Sequence, residues 1–327
     1  MGLALSTTRR PLKNHPLNFT IDTLHNDDDP WPIEWMMFNV LNDYLQPDSK
    51  LSDSEAARCL DAIIPENRPD QLHEKKEPAD DWMLELSDLI WDIAKQIPCD
   101  HQGQHKLVQL LHAVKRLPIT QTIENYQGEQ LPAWHGFGHW DDSMRHAHGY
   151  PEKKTKPNQQ TCDHYVNASA FAARVHAAGV QSPLQSRAFV TIGIAVEGII
   201  PDDELLPCHL IAGAQWIVLA TEWLWSLIRW GRVDYHKLRE DGSKYLAFPP
   251  ARWVRWLHGF QKAAATGEGD EVKYWAGLAV AKMEGMMRSQ GFTEEMMEKW
   301  DPEKRSLRAD IWADEKYAHL FKVQEKA

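Results

Sequence analysis

Leu205–Trp230 reads LLPCHLIAGAQWIVLATEWLWSLIRW and is the longest apolar run in the sequence. From Leu205 to Thr221 it carries no formal charge, a length at the lower limit for a membrane span. Pro207, His209, Gln215 and Glu222 interrupt it, so it reads as a buried central helix with others around it and not as a transmembrane segment. Trp216, Trp223 and Trp230 recur at heptad spacing and form one seam, with Gln215, Glu222 and Arg229 in the seam beside it. A buried helix that carries a polar line must satisfy it with partners or a ligand.

The same helical spacing extends on both sides. Downstream it predicts helices over 251–265 and 270–288, with a charged tail from Thr293. Upstream it predicts helices over 31–45, 82–97, 104–117, 163–178 and 184–197; Gly179 and Gly198 stand where C-caps of the last two belong, as Gly291 does after 270–288. Ser52 and Glu55 stand in capping-box register for a short helix that Pro65 ends, and Asp80-Asp81 precedes the helix at Trp82 as a cap. No alternating β-branched run is long enough for a sheet, and no fixed repeat appears. The fold class expected is all-α: a multi-helix array around 205–230. Residues 1–29 show no helical periodicity and read as a flexible arm, with 30–327 one domain containing a polar loop near 150–160.

With 43% hydrophobic residues and 15 Trp, the sequence has ample material for a core. Its net charge of −11 argues against nucleic acid and anionic membrane as partners, because both select a basic face. Cys59, Cys99, Cys162 and Cys208 lie far apart with no CxxC pair, which fits reduced thiols in a cytoplasmic protein. No secretory leader is legible at the start. Met1-Gly2 with Ser6 fits the N-myristoylation pattern, with Arg9, Arg10 and Lys13 as a basic second signal, although six residues are a weak motif.

Several short phrases, in order, resemble a fungal family catalogued as domain of unknown function 3632. They are Gly128 with Leu131-Pro132; Asn167-Ala-Ser-Ala-Phe171-Ala-Ala-Arg174; Ala195-Val-Glu197; Ala212-Gly-Ala-Gln215-Trp216; and Ala251-Arg252-Trp253-Val-Arg-Trp256. Val196 and Ala251 depart from the pattern. The resemblance implies a fungal helical protein and supplies no catalytic residues. Some members are associated with secondary-metabolite clusters, which points toward small-molecule chemistry.

Two stretches have the residue types of a metal site, and each has a simpler reading. His135, His139, Asp142 and His146 would share one face of a continuous helix at a spacing that can bind Zn²⁺ or Fe²⁺. Gly136 and Gly138 break that assumption, and 16 His make chance clustering common. Asp80-Asp81 followed by Glu85 looks like a terpene-cyclase first motif, but the second motif has no counterpart. Nucleophile-elbow, Walker and dinucleotide fingerprints are absent as well. No metal and no cofactor are expected.

What remains is a polar set on apolar helices. Glu222, Arg252 and His209 are the candidate catalytic residues, and Gln215, Trp216, Trp223, Trp253, Trp256 and Glu197 the candidate substrate-binding ones. Arg255 lies nearby. The simpler reading pairs Glu197 or Glu222 with Arg252 as a helix lock and makes the Trp residues core. The functional reading lines a pocket for a hydrophobic small molecule. It implies a cofactor-independent enzyme of fungal secondary metabolism, a pericyclic, Diels–Alderase-like cyclase working by substrate folding and hydrogen bonding. The alternative is a non-catalytic helical binding or scaffold protein. Oligomeric state is not legible.

Overall fold

A computed structural model of the chain describes residues 12–25, 31–69, 76–119, 122–124, 130–136, 140–151, 158–180, 185–198, 204–229 and 250–298. Among them the secondary structure is helical apart from one small ribbon. In chain order the elements are α1 (Asp22–His25), α2 (Pro32–Leu45), α3 (Asp53–Ala62), α4 (Ala79–Gln96), α5 (Gln102–Lys115), β1 (Thr122–Glu124), β2 (Gln130–Pro132), α6 (Ala133–Gly136) and α7 (Trp140–Ala147). There follow α8 (Gln159–Ala177), α9 (Gln185–Val196), α10 (Leu206–Arg229), α11 (Pro250–Thr266), α12 (Asp270–Ser289) and α13 (Glu294–Glu298). β1 and β2 pair antiparallel with Ile123 opposite Leu131. The fold class is therefore all-α.

Two compact units form, 1–183 and 184–327, where the sequence suggested one domain. The break falls after α8 and not at the polar loop, most of which (152–157) lies outside the described residues. The packing explains the position. The buried face of α8 belongs to α4 and α5, whereas α9 packs on α10 and α11.

In the first unit α4 is the organising helix, in contact with α2, α7 and α8. Trp82 and Trp91 are fully buried on it, and Trp91 meets the Phe171 ring edge-on at 5.0 Å. The terminal carbonyls of α4 have no partner within the helix. Gln104 of α5 supplies one amide to the carbonyls of Ala94 and Ile97 (3.2 and 2.8 Å), and Asn167 of α8 donates to that of Lys95 (3.0 Å). Ser52 and Glu55 form the expected capping box. Asp80 and Asp81 do not cap: they lie in the first turn of α4, whose N-cap is Pro78. Their charge there favours the helix dipole.

The arm also differs from expectation. Residues 12–21 run extended against this unit, burying Leu17, Phe19 and Ile21. Their spacing is two, not three or four, and suits an extended strand. Two glutamine side chains clamp its backbone. Gln46 bonds both N–H and C=O of Leu17 (3.1 Å each), and Gln96 does the same for Thr20 (2.9 Å each). Lys13 closes the near end by bonding Asp100 and Gln102 through its backbone. The myristoylation motif lies outside the described residues.

In the second unit α10 packs on α9 and α12, and α11 packs on α12 and α13. α10 is long and apolar enough to cross a membrane, yet 72% of that apolar window is buried inside the protein, as in a core helix. The helix kinks at Ala220 (φ −127°, ψ 29°), where Thr221 turns its hydroxyl back to the Ile217 carbonyl. Close approach of α9 is built on glycine. A Cβ on Gly213 would stand 2.8 Å from that of Ala195, and one on Gly259 only 2.5 Å from that of Val196. No disulfide joins the four cysteines, all of which are among the described residues.

Candidate functional site

The set that the sequence singled out divides in two. Glu197 follows the last turn of α9, where Gly198 reverses the chain with φ +68°. Arg252 stands in the first turn of α11, and Trp256 one turn later. The fit of Val196 against Gly259 sets the two helices close enough for these three to meet. Arg252 donates from Nε to Glu197 Oε1 and from Nη2 to Oε2, both at 2.7 Å. The Trp256 indole donates to Oε1 at 2.8 Å, and the guanidinium carbon lies 5.2 Å from the centre of that ring. Burial alone would raise the Glu197 carboxyl. The hydrogen bond and charge of Arg252, the Trp256 bond and the charge of Arg255 outweigh it, so the acid is held below its ordinary value. The carboxylate thus accepts three donors within the protein.

Glu222 is not the partner of Arg252. It follows the kink in α10 and is exposed. Arg255, three residues beyond Arg252 on α11, is exposed too. Trp253 is fully buried and meets Trp225 edge-on at 5.3 Å, and Trp225 in turn meets Phe292. Trp216 is fully buried, with Trp223 at 6.2 Å and half-buried. Trp230 lies outside the described residues. His209 is buried near the start of α10. Gln215 is fully buried, and neither end of its amide has a hydrogen-bond partner. Trp216 meets Trp223, Trp253 meets Trp225 and Trp256 meets Phe189, so each packs against a neighbouring ring.

A second polar pair lies in the first unit. His148 Nε2 is 2.8 Å from Ser169 Oγ, a distance suited to a nucleophile and its base. The Ser169 hydroxyl, however, donates to the Tyr165 carbonyl at 2.8 Å, so His148 must be the donor to it. Both residues are buried, and the pair ties α7 to α8. The His135 to His146 stretch is not one helix. It is divided between α6 and α7, with His139 outside the described residues and His146 exposed. Among the described residues no group of three or more His, Cys, Asp or Glu side chains is placed to hold a metal.

The first unit also contains a cleft of about 290 Å³ where α4 meets α7 and the N-terminal strap. Four carboxylates line it: Glu34 of α2 and Glu85, Asp88 and Asp92 of α4. Lys95, paired with Asp92, and His146 are the basic groups at its edge. Ile21, Leu24 and Leu89 make an apolar wall. Burial, and then the charges of Asp88 and Asp81, raise the Glu85 carboxyl above its ordinary value. Ser143 of α7 is 1% exposed, and its hydroxyl has no hydrogen-bond partner. The signal for this cleft was present in the sequence. Glu85, Asp88, Asp92 and Lys95 follow one stripe of α4 beside its buried face.

An all-α protein with a carboxylate lock in one helical unit and an acidic cleft in the other is the class that these features define. The chain belongs to the family described as protein of unknown function DUF3632, whose profile matches residues 88–260. No curated protein and no solved structure matches it. The matched span contains most of the cleft, the lock and the Asn167–Arg174 phrase. Structural roles account for that phrase. Asn167 caps α4, Ser169 holds His148, Phe171 packs on Trp91, and Arg174 donates to the Cys99 carbonyl at 2.8 Å.

Proposed function

We propose that the protein is a helical binding protein for a small organic molecule, seated in the cleft between α4 and α7. The observation that carries this reading is the cleft itself: about 290 Å³, with carboxylates on one wall and aliphatic side chains on the other. Its size is near the lower end of the range for small-molecule sites. The tryptophan set offers less, since Trp216, Trp253 and Trp256 are fully buried and Arg252 is held by Glu197. Ala147 lines the cleft, so Ala147→Trp should fill it. Ligand-observed NMR of a fragment mixture against both proteins tests the reading. Hits lost in the variant support it, and hits that persist unchanged place binding elsewhere.

One observation favours a second reading, the cofactor-independent cyclase of fungal secondary metabolism acting in the cytoplasm on a hydrophobic substrate. Gln215 keeps an amide without partners beside Trp216, and such an amide could direct a carbonyl-bearing substrate. Neighbouring polyketide or terpene synthase genes, together with turnover of their product that Gln215→Met abolishes, would favour this reading over the first.

A further inference from the structure

We propose that the cleft takes a primary organic amine: an ammonium group against the α4 carboxylates, its apolar body against Ile21, Leu24 and Leu89. This rests on the reading of the cleft as a binding site and names the class of its ligand.

Two independent features point to a cation with one further acceptor to offer. The first is charge. Glu85 and Asp88 line the cleft beside Asp92, which Lys95 pairs, and His146 stands exposed at its edge. Carboxylates gathered in a partly desolvated space repel one another until a cation enters. Burial first, and then the neighbouring charges of Asp88 and Asp81, raise the Glu85 carboxyl.

The second feature is Ser143. A buried serine on a helix usually returns its hydroxyl to the carbonyl one turn earlier. Ser169 does so, but the Ser143 hydroxyl has no partner although it is buried at the cleft wall. An unsatisfied buried hydroxyl costs stability unless something completes it. An ammonium group can donate to its oxygen while other protons go to the carboxylates. The apolar wall then selects an amine with a hydrocarbon body over a bare inorganic cation.

The test is calorimetric titration of the full chain with phenethylamine, its neutral analogue 2-phenylethanol and its anionic analogue 3-phenylpropanoate. The amine should bind at least about tenfold more tightly than the alcohol, the acid should give no heat, and added salt should weaken the amine. Asp88→Asn and Glu85→Gln should each weaken the amine by about tenfold. Ser143→Ala is the decisive variant: with no bond to lose, it should melt no lower than the parent, yet bind the amine more weakly.

Alcohol binding as tight as amine binding, lost in Ala147→Trp, would overturn the amine class and leave the cleft as a binding site. No heat from the amine, with fragment hits still lost in Ala147→Trp, overturns the amine class alone; no heat and no such fragment hits overturn both readings. Amine binding that Asp88→Asn, Glu85→Gln and Ser143→Ala all leave unchanged overturns the proposal by placing the amine elsewhere.

Discussion

Arg252 grips Glu197 with two parallel hydrogen bonds of 2.7 Å, and the carboxylate it grips also receives the indole N–H of Trp256. The geometry is the two-pronged pairing for which guanidinium is suited, and it joins residues 55 apart in sequence. The side chains keep only 10% and 21% of their surface in water. Removing one partner therefore strands the other in a poorly solvated place.

Arg252→Met should destabilise the second unit by about 3 kcal/mol, the low end for a buried pair because Glu197 is partly wet. Combining it with Glu197→Leu should recover much of the loss, since no charge is then left behind. Denaturant titration of the parent, both single variants and the double variant measures the coupling. A single variant as stable as the parent would remove the lock from any structural role.

The same pair makes stability fall in acid. The folded Glu197 carboxyl lies below its ordinary value of 4.5, so its contribution is complete above about pH 4.5 and is lost as pH falls through the lowered folded value. Thermal melts from pH 6 downward should show this decline, and Glu197→Gln should flatten it. An equal acid slope in parent and variant would assign the decline to other carboxylates.

How much of this was legible depended on range. The capping box at Ser52, the C-cap at Gly198 and the central helix are local or periodic signals, and they appeared where the sequence placed them. Arg252 had two candidate carboxylates in sequence. Only the close approach of α9 at Gly259 chose Glu197 over Glu222, and that approach is a tertiary fact. The strap was missed because its apolar residues alternate at 17, 19 and 21, and its clamps, Gln46 and Gln96, lie far along the chain. The acidic stripe of α4 could be read, but the Ser143 wall that makes it a cleft could not.

The strap gives a reversed expectation for the N-terminus. Gln46→Ala and Gln96→Ala each remove two hydrogen bonds to its backbone and should each cost about 1–2 kcal/mol. Both should speed proteolysis within 12–25, measured by mass spectrometry of early fragments. Because Ile21 and Leu24 wall the cleft, either variant should also weaken whatever ligand the cleft holds.

Gly259→Ala tests the approach that seats Glu197. The added methyl would meet the Val196 Cβ at 2.5 Å, and a β-branched residue in a helix has little freedom to yield. The expected loss is about 1–3 kcal/mol, as for overpacked cores. Gly259→Ala/Val196→Ala should regain part of it, and a variant as stable as the parent would show that the helices can part without cost.

Gln215 is the residue on which the two readings of the tryptophan set separate. It lies fully buried on α10 with neither amide end hydrogen-bonded, next to Trp216. A polar side chain in that state costs stability, on the order of 1–3 kcal/mol in protein interiors. Methionine has nearly the same length and no polar ends to satisfy. If the tryptophans are simply core, Gln215→Met should stabilise the protein by about 1 kcal/mol and raise the melting temperature by roughly 2–4 °C. Ligand binding in the α4–α7 cleft should not change. Under the cyclase reading the same gain in stability should come with loss of turnover, the usual signature of a strained functional residue. A variant that melts lower than the parent would contradict both, because it would mean that the amide is satisfied in solution.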